Sequence, residues 1–67
     1  MHGLTQRELL LIEDQLRAEK VAINKFRQCA EQFDDPEFKQ LCTAAAEKHR
    51  EHYNTLLKQL NIYTELH

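Results

Sequence analysis

Hydrophobic positions recur every three or four residues through the first half of the chain, a spacing typical of a helix with one buried face. The inward positions of this first helix are Leu9, Ile12, Leu16, Glu19, Ile23, Phe26, Ala30 and Phe33. Thr5 and Glu8 have the spacing of a capping box, which predicts a helix over about residues 6–33. Seven of the eight inward positions are apolar, and the exception, Glu19, lies in the middle.

A second helix follows after a short turn. The residue before a proline avoids the helical region, so Asp34, Asp35 and Pro36 end the first helix, and Asp35 can cap a new helix that begins with Pro36. The second helix is predicted over about residues 36–60, ended by Asn61, with residues 62–67 as a tail or a frayed last turn. Its inward positions are Phe38, Cys42, Ala45, His49, His52, Leu56 and either Gln59 or Leu60.

These two helices predict an all-α chain that forms one domain over residues 1–67. A connection of two or three residues makes the helices antiparallel neighbours, that is, a helical hairpin. At 67 residues a single hydrophobic core is barely sufficient, and two cysteines offer little cross-linking. A partner subunit or a bound metal remains to add stability, and our leading expectation is that two hairpins pair as a homodimer and form a four-helix bundle.

Composition and charge exclude several classes of function. The chain has 9 basic and 11 acidic residues, a net charge of −2, and its basic residues are scattered, so no nucleic-acid-binding surface is predicted. The longest apolar run, Leu9 to Ile12, is far shorter than the roughly 20 residues of a membrane span. No signal peptide is recognisable at the N-terminus, so we expect synthesis and folding in the cytoplasm, with Cys29 and Cys42 as reduced, small core residues.

The polar residues of the two inward faces fall at one level of the hairpin. Counted from the middle of the turn, Glu19 lies about 15.5 residues before it, and His49 and His52 about 14.5 and 17.5 after it. At about 1.5 Å of rise per residue, the two histidines therefore bracket Glu19 along the axis. Imidazole and carboxylate groups suit zinc, iron or manganese, so these three residues are candidate metal ligands. The alternative is a hydrogen-bonded polar layer that sets the register of the helices without a metal.

Several of these residues also follow a known pattern. The residues that carry it are Glu19, Phe26, Ala30, the turn at residues 34–36, and Ala46, His49 and His52 at intervals of three. This arrangement resembles the ferritin-like superfamily, including rubrerythrins, in which a Glu on one helix and an Ala-x-x-Glu-x-x-His run on the next supply a di-metal site. Here His49 stands at the position of the second carboxylate, and this makes rubrerythrin-like oxidoreductase chemistry the weakest of the functional hypotheses.

The chain is also similar to the spore coat protein F family of small ferritin-like proteins, over residues 5–61. The matching stretches are Leu9 to Glu19 (LLLIEDQLRAE), His49-x-x-His52-Tyr53 and Leu56 to Asn61 (LLKQLN). This resemblance implies a protein made in the mother cell and deposited in the spore coat beside other coat proteins, with a structural role and no established catalysis. The leading hypothesis is therefore a structural or assembly protein that is not an enzyme, and the alternative is a metal-binding protein.

Overall fold

The computed structural model describes residues 4–66 of the chain, and the side chains of residues 4–62. Two helices, α1 (Gln6–Gln32) and α2 (Pro36–Leu66), pack against each other as a hairpin, and the described residues contain no strand. The hairpin measures 50 × 16 × 13 Å. The predicted all-helical hairpin is thus confirmed. In residues 4–66 neither helix has an apolar stretch long enough to cross a membrane.

The start of α1 is held by the predicted capping box. Thr5 is extended, with φ −72° and ψ 163°, and its hydroxyl accepts a hydrogen bond from the Glu8 backbone N–H at 3.1 Å. The Glu8 carboxylate in turn accepts from the Thr5 backbone N–H at 2.8 Å. Both donors would otherwise lack a partner at the helix end, so this pair of bonds makes Gln6 the first helical residue.

The turn is also built as predicted, and α1 ends one residue before the predicted boundary. Phe33 leaves the helical region, with φ −104° and ψ 142°. The Asp35 side chain accepts from the Glu37 backbone N–H at 3.0 Å, and its carbonyl accepts from the Lys39 N–H at 2.9 Å. Pro36, which has no N–H to satisfy, occupies the first position of α2.

The predicted end of the second helix is wrong. Asn61 does not adopt a left-handed conformation, because no described residue has a positive φ, and α2 continues to Leu66. The chain has no glycine or proline after Pro36, so nothing in the sequence forces the helix to stop near residue 60. Residues 62–66 are therefore helical, and His67 lies outside the described residues.

The seam between the helices buries little apolar surface. Among the described side chains only Cys42 and Ala46 are buried apolar residues, and the one buried charged residue is Glu19. Phe33 and Phe38, predicted to face inward, are exposed and pack on each other beside the turn, with their ring centroids 4.5 Å apart. The larger side chains of the seam are only half-buried. The hairpin alone therefore has almost no hydrophobic core.

Candidate metal centre

Glu19 occupies the centre of the hairpin seam and is 6% exposed. Its Oε1 lies 2.5 Å from His49 Nδ1, across the seam on α2. Its Oε2 accepts a hydrogen bond from Gln15 Nε2 at 3.1 Å, one turn earlier on α1. No buried side-chain polar atom among the described residues lacks a partner, so the carboxylate lies in a fully satisfied polar environment.

The two histidines have different surroundings. His49 is half-buried and its ring stacks on Phe26, with centroids 5.7 Å apart and ring planes inclined by 14°. His52 was predicted to face inward, but its side chain is 59% exposed and lies at the edge of the seam. The predicted spacing nevertheless brings His52 to the carboxylate, because His52 Nδ1 is 3.6 Å from Glu19 Oε2. The two rings meet edge to face, with centroids 5.9 Å apart.

The electrostatics of the site favour a negatively charged Glu19. The pKa of Glu19 is lowered, first because of its hydrogen bond with His49 and also because of the Gln15 bond and the positive charge of both imidazoles when protonated. Burial acts in the opposite direction, since a charged group loses hydration there, but the hydrogen bonds prevail. The site therefore presents an ionised carboxylate beside two imidazole nitrogens.

This donor set suits a metal ion in its chemistry and its spacing. One ligand atom from each of Glu19, His49 and His52 lies within 4.8 Å of the other two. Two imidazoles and one carboxylate are a common zinc ligand set, and three protein ligands leave a coordination position for water or a fourth ligand. The residues present therefore fit a divalent metal. The same contacts also fit a metal-free layer in which the carboxylate is shared by its neighbours.

The open side of the site is a shallow groove. Its volume is about 340 Å³, and its lining residues are Gln15, Glu19, His52, Thr55 and Leu56. Gln15 and Leu56 come from different helices, so the groove runs along one side of the hairpin across both. The groove gives solvent access to His52 while Glu19 stays buried beneath it.

Two contributors to the site were not assigned a role by the sequence reasoning. Gln15 is a direct partner of Glu19, and its position four residues earlier on the same helix face was the signal that could have identified it. Phe26 was expected only to pack in the seam, and it does so against the ring of His49. Together they orient the carboxylate and one imidazole.

Tyr53 and the two cysteines make contacts of their own. Tyr53 is half-buried, and the Lys20 ammonium lies 5.9 Å from the centre of its ring, a cation–π contact. Cys29 is half-buried and Cys42 is buried, and both are free thiols. The pKa of the Cys42 thiol is raised, because its hydrogen bond with Cys29 and its burial both favour the protonated form.

Comparison with known proteins adds no family to this description. No family model matches the chain, and no curated protein or solved structure is significantly similar to it.

Proposed function

We propose that the chain is a structural protein that assembles as a homodimer, in which two hairpins form a ferritin-like four-helix bundle. The observation that carries this proposal is the nearly absent core: Cys42 and Ala46 are the only buried apolar residues among the described side chains. A domain of this size is marginal even with a well-filled core. A second hairpin would supply the apolar surface that the first lacks.

Sedimentation equilibrium tests the dimer directly. We expect a single species of twice the chain mass that keeps its helical circular dichroism after exhaustive chelation with EDTA, because the bundle is held by apolar contacts. A monodisperse monomer that remains fully folded would refute the proposal.

The cellular role that we propose is assembly in the spore coat. The support is the resemblance to the spore coat protein F family over residues 5–61, and the expected partners are other coat proteins. A fluorescent fusion expressed in a sporulating cell should appear first in the mother-cell cytoplasm and then on the forespore surface. A fusion that stays diffuse through spore maturation would contradict the role without affecting the dimer.

Metal binding is the second candidate function, favoured by the spacing of Glu19, His49 and His52. Ligand atoms from one residue on α1 and two on α2 lie within 4.8 Å of one another, as a shared metal ion requires. Zinc, iron and manganese are the ions that suit this donor set. In the dimer the bundle would hold two such clusters, one from each hairpin.

Elemental analysis of protein purified without a histidine tag tests the metal site. After reconstitution with zinc, we expect one ion per chain in the wild type and none in Glu19→Leu. Leu57→Ala is a control, because Leu57 is half-buried on α2 and outside the cluster. A wild-type chain that retains no stoichiometric metal would leave the hydrogen-bonded polar layer as the role of these residues.

A rubrerythrin-like oxidoreductase is the function that the site supports least. Bridging carboxylates hold two irons close together in di-iron proteins. The cluster formed by Glu19, His49 and His52 contains one carboxylate per chain. We therefore expect iron loading to produce neither the absorption of an oxo-bridged pair nor consumption of peroxide.

A further inference from the structure

One side of the hairpin combines exposed apolar residues with the open side of the Glu19 groove. We call it the Gln15 face, and its residues are Leu11, Gln15, Ala18, Leu41, His52 and Leu56. Gln15, His52 and Leu56 line the same groove, which shows that these parts of α1 and α2 look toward the same side. Leu11 and Ala18 lie four and three residues from Gln15, so they continue its stripe along α1.

The α2 part of the Gln15 face extends toward the turn. Leu41 lies eleven residues before His52, which is about three full turns, so both project on the same side of α2. Leu41 is 69% exposed and Leu11 is 61% exposed, the two largest values among the large apolar side chains described. They lie on either side of the groove along the hairpin.

The opposite side of α1 also has two exposed apolar residues, but charged residues lie between them. Leu10 and Val21 lie nine residues before and two residues after Glu19, which places both on the side of α1 turned away from α2. They are 53% and 54% exposed. Asp14 and Arg17, which form an ion pair, lie between them. This side is a solvated helix surface with isolated apolar residues.

The chain exposes more surface than a compact protein of the same mass. The chain exposes 5494 Å². A compact monomer of 8.0 kDa would expose about 4,500 Å², so the hairpin exposes about 1,000 Å² more. A stable protein–protein interface covers about 800 Å² on each partner. The excess area of the whole chain is comparable with the area that one such interface covers on each partner.

We infer that the Gln15 face is the surface on which a second copy of this chain packs, through its own Gln15 face. This inference rests on the proposed dimer and specifies where the partner lies. A two-fold axis makes such a contact self-complementary, because the same apolar residues occur on both sides of it. The second copy covers the groove over Glu19 and buries His52, so the polar centre of each hairpin is enclosed only in the dimer.

Single charge substitutions on the two sides of the hairpin test the inference. Leu11→Glu and Leu41→Glu place a charge on the Gln15 face, and each charge occurs twice in a symmetric dimer. Leu10→Glu and Val21→Glu are the matched controls, since they change similarly exposed residues on the other side. Dimer dissociation constants from sedimentation equilibrium should rise at least about 100-fold for the first pair, because a buried unpaired charge is costly. The control pair should stay within about threefold of the wild type.

The outcomes distinguish this inference from the proposed dimer itself. A monomeric wild type would refute both. A dimeric wild type that dissociates on Leu10→Glu or Val21→Glu, but not on Leu11→Glu, would overturn the Gln15 face and leave the dimer standing. If the Leu11→Glu and Leu41→Glu chains unfold while the controls stay folded, the face is supported, since all four residues are largely exposed in the lone hairpin.

Discussion

Replacing Glu19 by leucine distinguishes two possible roles of this residue, as part of a polar layer that stabilises the bundle or as a ligand of a metal ion. In the hairpin Glu19 has two hydrogen-bonding partners, Gln15 and His49. A hydrogen bond to a charged group contributes about 1.5–3 kcal/mol net, so the loss of both costs at least about 3 kcal/mol. Burying the leucine side chain contributes about 1.5–3 kcal/mol in return. In the lone hairpin Gln15 is exposed and His49 is half-buried, so there both can bond to water after the change.

At the lower end of this loss, about 3 kcal/mol, we therefore expect the free energy of unfolding of metal-free Glu19→Leu to lie about 0–1.5 kcal/mol below the wild-type value per chain. Glu19→Ala is the control, because it loses the same hydrogen bonds without the apolar gain. Its stability should fall by about 3 kcal/mol, which corresponds to a decrease of about 12–24 °C in Tm for a domain of this size. Urea titration followed by circular dichroism, in EDTA and at one protein concentration, measures all three proteins.

Zinc provides the second half of the assay. An ion at 100 times its Kd stabilises the folded state by about 2.7 kcal/mol, and we expect this gain for the wild type but not for Glu19→Leu. If metal-free Glu19→Leu is destabilised as much as Glu19→Ala, the carboxylate stabilises the bundle by itself, and the burial of the leucine side chain does not offset the lost hydrogen bonds. If zinc stabilises Glu19→Leu as strongly as the wild type, Glu19 is not a ligand.

Three further predictions concern the start of α1 and the two thiols. Thr5→Ala should lower stability by about 1 kcal/mol, whereas Thr5→Ser should leave it nearly unchanged, as measured by urea unfolding. The pKa of Glu8 is lowered because its carboxylate accepts a hydrogen bond from the Thr5 N–H. The stabilisation that the ionised carboxylate provides is therefore present above the ordinary pKa of 4.5 and is lost as the pH falls through the lowered pKa. Wild-type Tm should therefore fall more steeply below pH 4.5 than that of Glu8→Gln, and parallel curves would contradict this. Cys42, which is buried, should react with an aromatic disulfide reagent at least about tenfold more slowly in Cys29→Ala than the half-buried Cys29 does in Cys42→Ala.

Local rules were sufficient for most of the fold. The capping box at Thr5 and the Asp35–Pro36 start of α2 depend on residues within one helical turn, so the sequence contains all the information that they need. The level shared by Glu19 and His49 followed from the constant rise of a helix and a short turn. The end of α2 was missed because Asn61 permits a helix to stop without requiring it.

Exposure was harder to predict than position. Periodicity assigned His52, Phe33 and Phe38 to the inward side of the helices, but in the hairpin His52 lies at the edge of the seam and the two phenylalanines remain exposed beside the turn. A seam between only two helices is narrow, so no other helix covers the residues at its margin. The hydrophobic pattern of each helix is wider than one neighbouring helix can cover.

The scarcity of buried apolar residues in the hairpin has a consequence for the lifetime of the protein. If the second copy completes the core, folding and association are one equilibrium, and each tenfold rise in concentration stabilises the folded chains by about 1.4 kcal/mol per dimer. Dilute chains would then be largely unfolded and open to proteases, while chains concentrated at a site of deposition would resist them. Local abundance would decide where this protein persists.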